Sequence, residues 1–89
     1  MFCVKGYVSG RVQGVGFRYF VSRHAGEYKI FGFARNLPDG RVEFLLQGEW
    51  ESVQSVVENI RKGPSFSVVT DVEVSECECQ DLGNRFMIM

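Results

Sequence analysis

Apolar and polar positions alternate from Phe2 to Ser9, with Phe2, Val4 and Val8 on one side and Cys3, Lys5 and Tyr7 on the other. That period of two predicts a strand. After a glycine-rich interval, Phe17, Phe20, Val21, His24, Ala25 and Tyr28 recur at helical spacing and make one face of an amphipathic helix. Phe31 to Leu37 and Arg41 to Gln47 read as two further strands. Pro38-Asp39-Gly40 between them supplies a pre-set φ and then a residue free to take positive φ, so the pair predicts a hairpin. Trp50, Val53, Val56, Val57 and Ile60 form the stripe of a second helix, from Trp50 to Lys62. Glu49 and Glu51 suit its positive end, Arg61 and Lys62 its negative end, and Gly63-Pro64 stops it. Val68 to Cys79 predicts a fourth strand, and Arg85 to Met89 a short last one.

The order β-α-β-β-α-β plus a terminal strand predicts an α+β, ferredoxin-like (split β-α-β) sandwich. Its sheet is expected to be four- to five-stranded and antiparallel, with both helices on one face. The 89 residues suffice for one small domain spanning 1–89. No apolar run approaches the ~18 residues of a membrane span, and no signal peptide is visible. A cytoplasmic monomer is the expectation.

Charge changes this picture by its distribution. The net charge is only −1, yet residues 1–45 hold seven Lys/Arg against three Asp/Glu, and residues 46–89 hold three against eight. A small anionic ligand at the N-terminal half fits this split. An extended nucleic-acid footprint fits poorly, because phosphate-backbone binding calls for a clearly basic domain. The three cysteines, Cys3, Cys77 and Cys79, form no CxxC, and His24 is the sole histidine. No metal site and no cofactor are expected from that set. The cysteines are expected to act as small buried apolar residues. A bond from Cys3 to Cys77 or Cys79 stays open if their strands are neighbours, although a cytosolic setting argues against it.

The candidate chemistry sits between the first strand and the first helix, in Val8-Ser9-Gly10-Arg11-Val12-Gln13-Gly14-Val15-Gly16-Phe17-Arg18. Glycines let a loop turn several N–H groups toward one point. The start of the helix adds unpaired donors and a partial positive charge. Arg18 contributes a planar fork matched to phosphate oxygens. No Gly-Lys-Ser/Thr follows, so this is not a nucleotide P-loop, and the dinucleotide fingerprint fails on spacing. Lys29-Ile30-Phe31-Gly32-Phe33-Ala34 partly echoes an RNA-recognition pattern. It lacks the glycine after the basic residue and falls on the second strand rather than the third.

Two signatures in the chain resemble those of the acylphosphatase family. The first is met at Val8, Gly10, Val12, Gln13, Gly14, Val15, Phe17 and Arg18. The second is met at Gly32, Phe33, Ala34, Arg35, Asn36, Gly40, Val42 and Gly48. The element order and the Phe86-x-Ile88 ending extend the resemblance over essentially the whole length. It implies a metal-independent hydrolase of small acyl phosphates, with Arg18 and Asn36 as catalytic residues. Phosphate would lie on Gln13, Gly14, Val15, Gly16, Phe17 and Arg18, with inorganic phosphate or sulfate as competing anions. Neither nucleic acid nor a membrane is implied as a partner.

Elementary chemistry agrees with so short a list of residues. The leaving group of an acyl phosphate is a carboxylate, whose conjugate acid has a pKa of about 4, so no proton donor is needed. Holding the phosphoryl group and aiming a water are the tasks that remain. Asp39 is a weaker candidate for a base, because turn chemistry accounts for it. Arg11, Arg35 and Arg41 are available to steer anions, with plain surface solvation as their simpler role. The competing reading of the chain is a non-catalytic anion-binding module that keeps the same cradle.

Overall fold

The computed structural model describes residues 1–89. Its elements follow the predicted order: β1 (Phe2–Arg11), α1 (Phe17–Glu27), β2 (Phe31–Asn36), β3 (Val42–Gly48), α2 (Trp50–Lys62), β4 (Val68–Glu76) and β5 (Phe86–Ile88). The strands form one five-stranded sheet in the order β4-β1-β3-β2-β5. Both helices cover one face, as the ferredoxin-like α+β expectation requires. Val4, Val8, Val42, Phe44 and Leu46 of the sheet share a core with Phe17, Val21 and Ala25 of α1 and Val53, Val56, Val57 and Ile60 of α2. Each large apolar side chain fully buried there contributes about 1.5–3 kcal/mol.

The expectation of an all-antiparallel sheet needs one correction. β1, β2, β3 and β4 pair antiparallel, but β5 lies parallel to β2, with Gly32, Phe33 and Ala34 beside Phe86, Met87 and Ile88. The cause is the long crossover after β4. It carries the chain from one edge of the sheet to the other, and the last strand enters beside β2 in the same direction. β4 also ends at Glu76, short of the predicted Cys79, because the crossover begins there.

That crossover is fastened to the face of the sheet opposite the helices. Cys79 is disulfide-bonded to Cys3, with Cα atoms 5.3 Å apart. Gln47 donates from Nε2 to the Gln80 carbonyl at 2.9 Å, and its Oε1 accepts from the Gln80 N–H. Cys3 and Gln47 are register partners across β1 and β3, so neighbouring residues of the sheet grip consecutive residues of the crossover. Cys3 and Leu45 are consequently buried on this second face, and so is Gln47, a polar side chain whose hydrogen bonds are satisfied. The expectation of unbonded cysteines holds only for Cys77. Cys3 is buried as predicted, but in a bond that the adjacency of β1 and β4 permits.

One other position departs from the pattern. Trp50, placed on the α2 stripe by its spacing, is 59% exposed at the first position of the helix and lies outside the buried core. His24 lies half-buried at the edge of α1, in edge contact with Phe20 at 4.6 Å.

Candidate active site

Strand direction decides what can meet at the C-terminal end of β1. β1 and β2 flank β3, both antiparallel to it, so they run the same way. Val8 of β1 and Asn36 of β2 both pair with Val42, the first residue of β3. With ~4.8 Å between adjacent strands, Val8 lies about 10 Å from Asn36, and the loop leaves β1 three residues further on, after Arg11.

The loop is shaped by two residues with left-handed backbone. Gly14 has φ 75° and Gly16 φ 78°, and both face open space, so conformation rather than crowding calls for glycine. Gly16 is also the N-cap of α1, and no side chain caps the helix. Its first turn holds no acidic residue. The first N–H of α1 to find a main-chain acceptor outside the regular ladder is that of Phe20, on Gly16 at 3.0 Å. The N–H groups of Phe17, Arg18 and Tyr19 precede it and remain free for an anion, as the geometry of a helix start dictates.

A pocket of about 150 Å³ opens here, lined by Val12, Gly14, Gly16, Phe17, Arg18, Tyr19, Asn36 and Ile88. The two expected catalytic residues, Arg18 and Asn36, therefore share one pocket. The Arg18 guanidinium is oriented by the residue that follows β5, since its Nη1 donates to the Met89 carbonyl oxygen at 2.7 Å. Met89 is held in turn by its N–H on Ala34 at 2.9 Å. Sequence patterning does not reach this contact, which spans 71 positions.

Of the expected phosphate-binding residues, Gly14, Gly16, Phe17 and Arg18 line the pocket, while Gln13 and Val15 do not. The Val15 side chain packs against the core. The Gln13 side chain donates from Nε2 to the carbonyls of Leu37 and Arg41, at 2.8 and 2.9 Å, and so ties the loop to the hairpin that carries Asn36. The residues lining the pocket that patterning missed are Val12, Tyr19 and Ile88. Tyr19 carried a signal, being a large aromatic next to Arg18 and off the apolar stripe of its helix.

Of the remaining charged candidates, Arg35, Arg41 and Asp39 are engaged elsewhere, and Arg11 is exposed at the end of β1. Arg35 pairs with the buried Glu43 and lies over the Phe33 ring. Arg41 pairs with Asp39 and lies over Tyr7. Asp39 accepts from the Arg41 N–H at 3.1 Å and from its Nε at 2.8 Å. Those hydrogen bonds, the backbone one foremost, hold its carboxyl below the ordinary value. Asp39 is therefore a turn residue, as its chemistry implied. No group of three or more His, Cys, Asp or Glu side chains is arranged to hold a metal ion. No helix is long and apolar enough to cross a membrane. A larger, more open cavity of about 970 Å³ lies at the other end of the sheet, among Met1, Phe2, Tyr28, Lys29, Phe31 and Trp50. It contains neither a glycine loop nor a paired arginine and amide.

A five-stranded sheet with both helices on one face, and a glycine loop joining its first strand to its first helix, define a ferredoxin-like α+β protein. The acylphosphatase family model matches residues 4–88, and the chain belongs to that family. It is similar to the acylphosphatase of Bacillus subtilis, at 48% identity over 82 residues, 92% of this chain and 90% of that protein. The acylphosphatase of Chlorobaculum tepidum is 48% identical over 82 residues, 92% of this chain and 89% of that one. The crystal structure of acylphosphatase from Bacillus subtilis superposes with a TM-score of 0.94 at 45% identity, covering 100% of this chain and 99% of that one. The chain also resembles a portion of full-length HypF in its phosphate- and nucleotide-bound form, with a TM-score of 0.87 at 27% identity. That match covers 99% of this chain and 12% of HypF. Membership over nearly the full length makes this chain an acylphosphatase-type hydrolase.

Proposed function

We propose that the chain hydrolyses the carboxyl–phosphate bond of small acyl phosphates, with Arg18 and the glycine loop holding the phosphoryl group and Asn36 positioning the water. The observation that carries this reading is the shared pocket of Arg18, Asn36, Gly14 and Gly16. The phosphoryl oxygens take hydrogen bonds from main-chain N–H groups of the loop and the first turn of α1, and from Arg18. Each charge-assisted bond of this kind contributes about 1.5–3 kcal/mol net. The donors are fixed before substrate arrives, so little reorganisation is needed as charge builds on the equatorial oxygens.

Asn36 presents a carbonyl oxygen and an amide on one rigid plane, so it accepts from the water and orients its lone pair. The water oxygen forms a bond to phosphorus while the bond from phosphorus to the acyl oxygen breaks, its electron pair leaving with the carboxylate. A phosphoryl oxygen of the substrate takes the water's proton. The carboxylate departs unprotonated, so the absence of a carboxylic acid or histidine among the pocket's lining residues is no obstacle. The positive charge required is supplied by Arg18 and the helix start, without a metal.

Hydrolysis of benzoyl phosphate by the purified chain, followed as loss of ultraviolet absorbance, tests this reading. Turnover that is inhibited competitively by inorganic phosphate is expected. Phosphate binding without turnover, with or without added divalent metal, would leave an anion-binding module instead.

A further inference from the structure

Tyr19 is 63% exposed, yet it stands in the first turn of α1 directly after Arg18 and lines the pocket. Its neighbours are committed elsewhere. Phe17 is buried and packs on Phe20 with centroids 5.9 Å apart, and Phe20 packs on His24. Phe33 and Tyr7 lie beneath Arg35 and Arg41. Tyr19 is thus a large flat side chain at the mouth of the site with no structural partner of this kind.

The pocket accordingly has two chemistries. Main-chain donors, Arg18 and Asn36 form a polar end that suits a phosphoryl group, whereas Tyr19 and Ile88 are exposed apolar walls. A substrate whose phosphoryl group is gripped by the loop must project its acyl group past those walls. In-line displacement narrows the direction further, because the leaving oxygen stands opposite the attacking water. Asn36 reaches the pocket from the sheet and Tyr19 from the helix end. A water on Asn36 therefore directs the acyl group away from Asn36, toward Tyr19 at the helix end.

We infer that Tyr19 is the wall of an acyl subsite and sets a preference for aromatic and other broad apolar acyl phosphates over acetyl phosphate. This rests on the acyl phosphate reading of the site. A tyrosine ring offers apolar area with few rotatable bonds to freeze, and it stacks on a second flat group in offset or edge geometry. The methyl of an acetyl group covers little of the ring and gains correspondingly little. The ring rather than the hydroxyl does the selecting.

The readout is the ratio of kcat/KM for benzoyl phosphate to that for acetyl phosphate. In Tyr19→Ala this ratio is expected to fall about three- to tenfold from the unsubstituted value. Tyr19→Phe is expected to keep it. A ratio unchanged in Tyr19→Ala, with both substrates slowed equally or not at all, overturns the subsite while leaving the hydrolase reading intact. A ratio lost equally in Tyr19→Phe overturns the assignment to the ring. No hydrolysis of either substrate by the unsubstituted chain overturns the hydrolase reading and the subsite together. Circular dichroism and inhibition by inorganic phosphate establish that each variant retains its fold and its phosphate grip.

Discussion

Gln13 Nε2 and the Leu37 carbonyl are 2.8 Å apart, 24 positions distant in sequence, and the same nitrogen reaches the Arg41 carbonyl at 2.9 Å. One amide thereby joins the loop that offers main-chain donors to the hairpin that offers Asn36. Leu37 also donates its N–H to the Arg41 carbonyl at 2.8 Å, so the hairpin mouth is closed independently of Gln13. What Gln13 adds is the distance between loop and hairpin.

Gln13→Ala is therefore expected to cost more in rate than in stability. Both carbonyls keep a main-chain donor, which limits the loss of stability to about 1–2 kcal/mol. The gap between phosphate and attacking water loosens, and misplacement of about 1 Å costs on the order of 100-fold in kcat. Urea unfolding and steady-state kinetics on benzoyl phosphate measure the two effects. A variant that loses stability but turns over normally removes Gln13 from any positioning role.

Arg18 is expected to carry both binding and rate. Arg18→Gln keeps a donor for the Met89 carbonyl but removes the charge and the planar fork. A loss of at least about 100-fold in kcat/KM is expected, by analogy with removing one donor from a preorganised anion site. Competition by inorganic phosphate should disappear with it, while the unfolding midpoint shifts little because the side chain is half-exposed. Turnover close to that of the unsubstituted chain would exclude Arg18 from the site.

Asn36 should separate the two functions. It is exposed at the end of β2, so Asn36→Ala leaves no buried group unpaired. Loss of the water's acceptor is expected to lower kcat about 100-fold or more. On the proposed division of roles, with Arg18 and the loop holding phosphate, the inhibition constant of inorganic phosphate should change less than about threefold, a difference under 1 kcal/mol. Weakened phosphate inhibition of the same size as the loss in kcat would make Asn36 a binding residue.

The elements and the site differ in how much of each was legible in sequence. Periodicity finds β1, both helices and the β2–β3 hairpin, because each buries one face against a common core and so repeats its apolar residues at that element's period. Arg18 and Asn36 were legible from the glycine loop and the two signatures, and strand direction then accounts for their sharing a pocket. The parallel pairing of β5 was not legible. It follows from a crossover whose residues, Cys77 to Arg85, are placed by a disulfide and by Gln47 rather than by any repeating pattern. Trp50 misled because a residue at the first position of a helix shares the stripe's phase without being covered by the core. The Gln13 side chain was taken with its loop, whereas a long polar side chain can leave its own segment to serve another. Met89 and Ile88 reach the pocket only through the crossover, so their part in it became visible with the topology.

The crossover also supplies the last expectation, which concerns stability. Cys3–Cys79 ties residues 76 positions apart, and closing so long a loop in the unfolded chain stabilises the native state by about 2–4 kcal/mol. A reducing dithiol, or Cys79→Ala, should therefore lower the unfolding free energy by that amount, read as a fall in the urea midpoint. Cys77 lies beside the bond, its N–H on the Cys3 carbonyl at 3.0 Å, and is the natural competitor for Cys3. Burial pushes its thiol above the ordinary value, so little of the attacking thiolate exists at neutral pH and exchange with the disulfide is slow. Cys77→Ala is accordingly expected to leave the effect of the dithiol intact. Should Cys77→Ala abolish that effect while Cys79→Ala preserves it, Cys3 pairs with Cys77, and the crossover is held at its start rather than across the sheet.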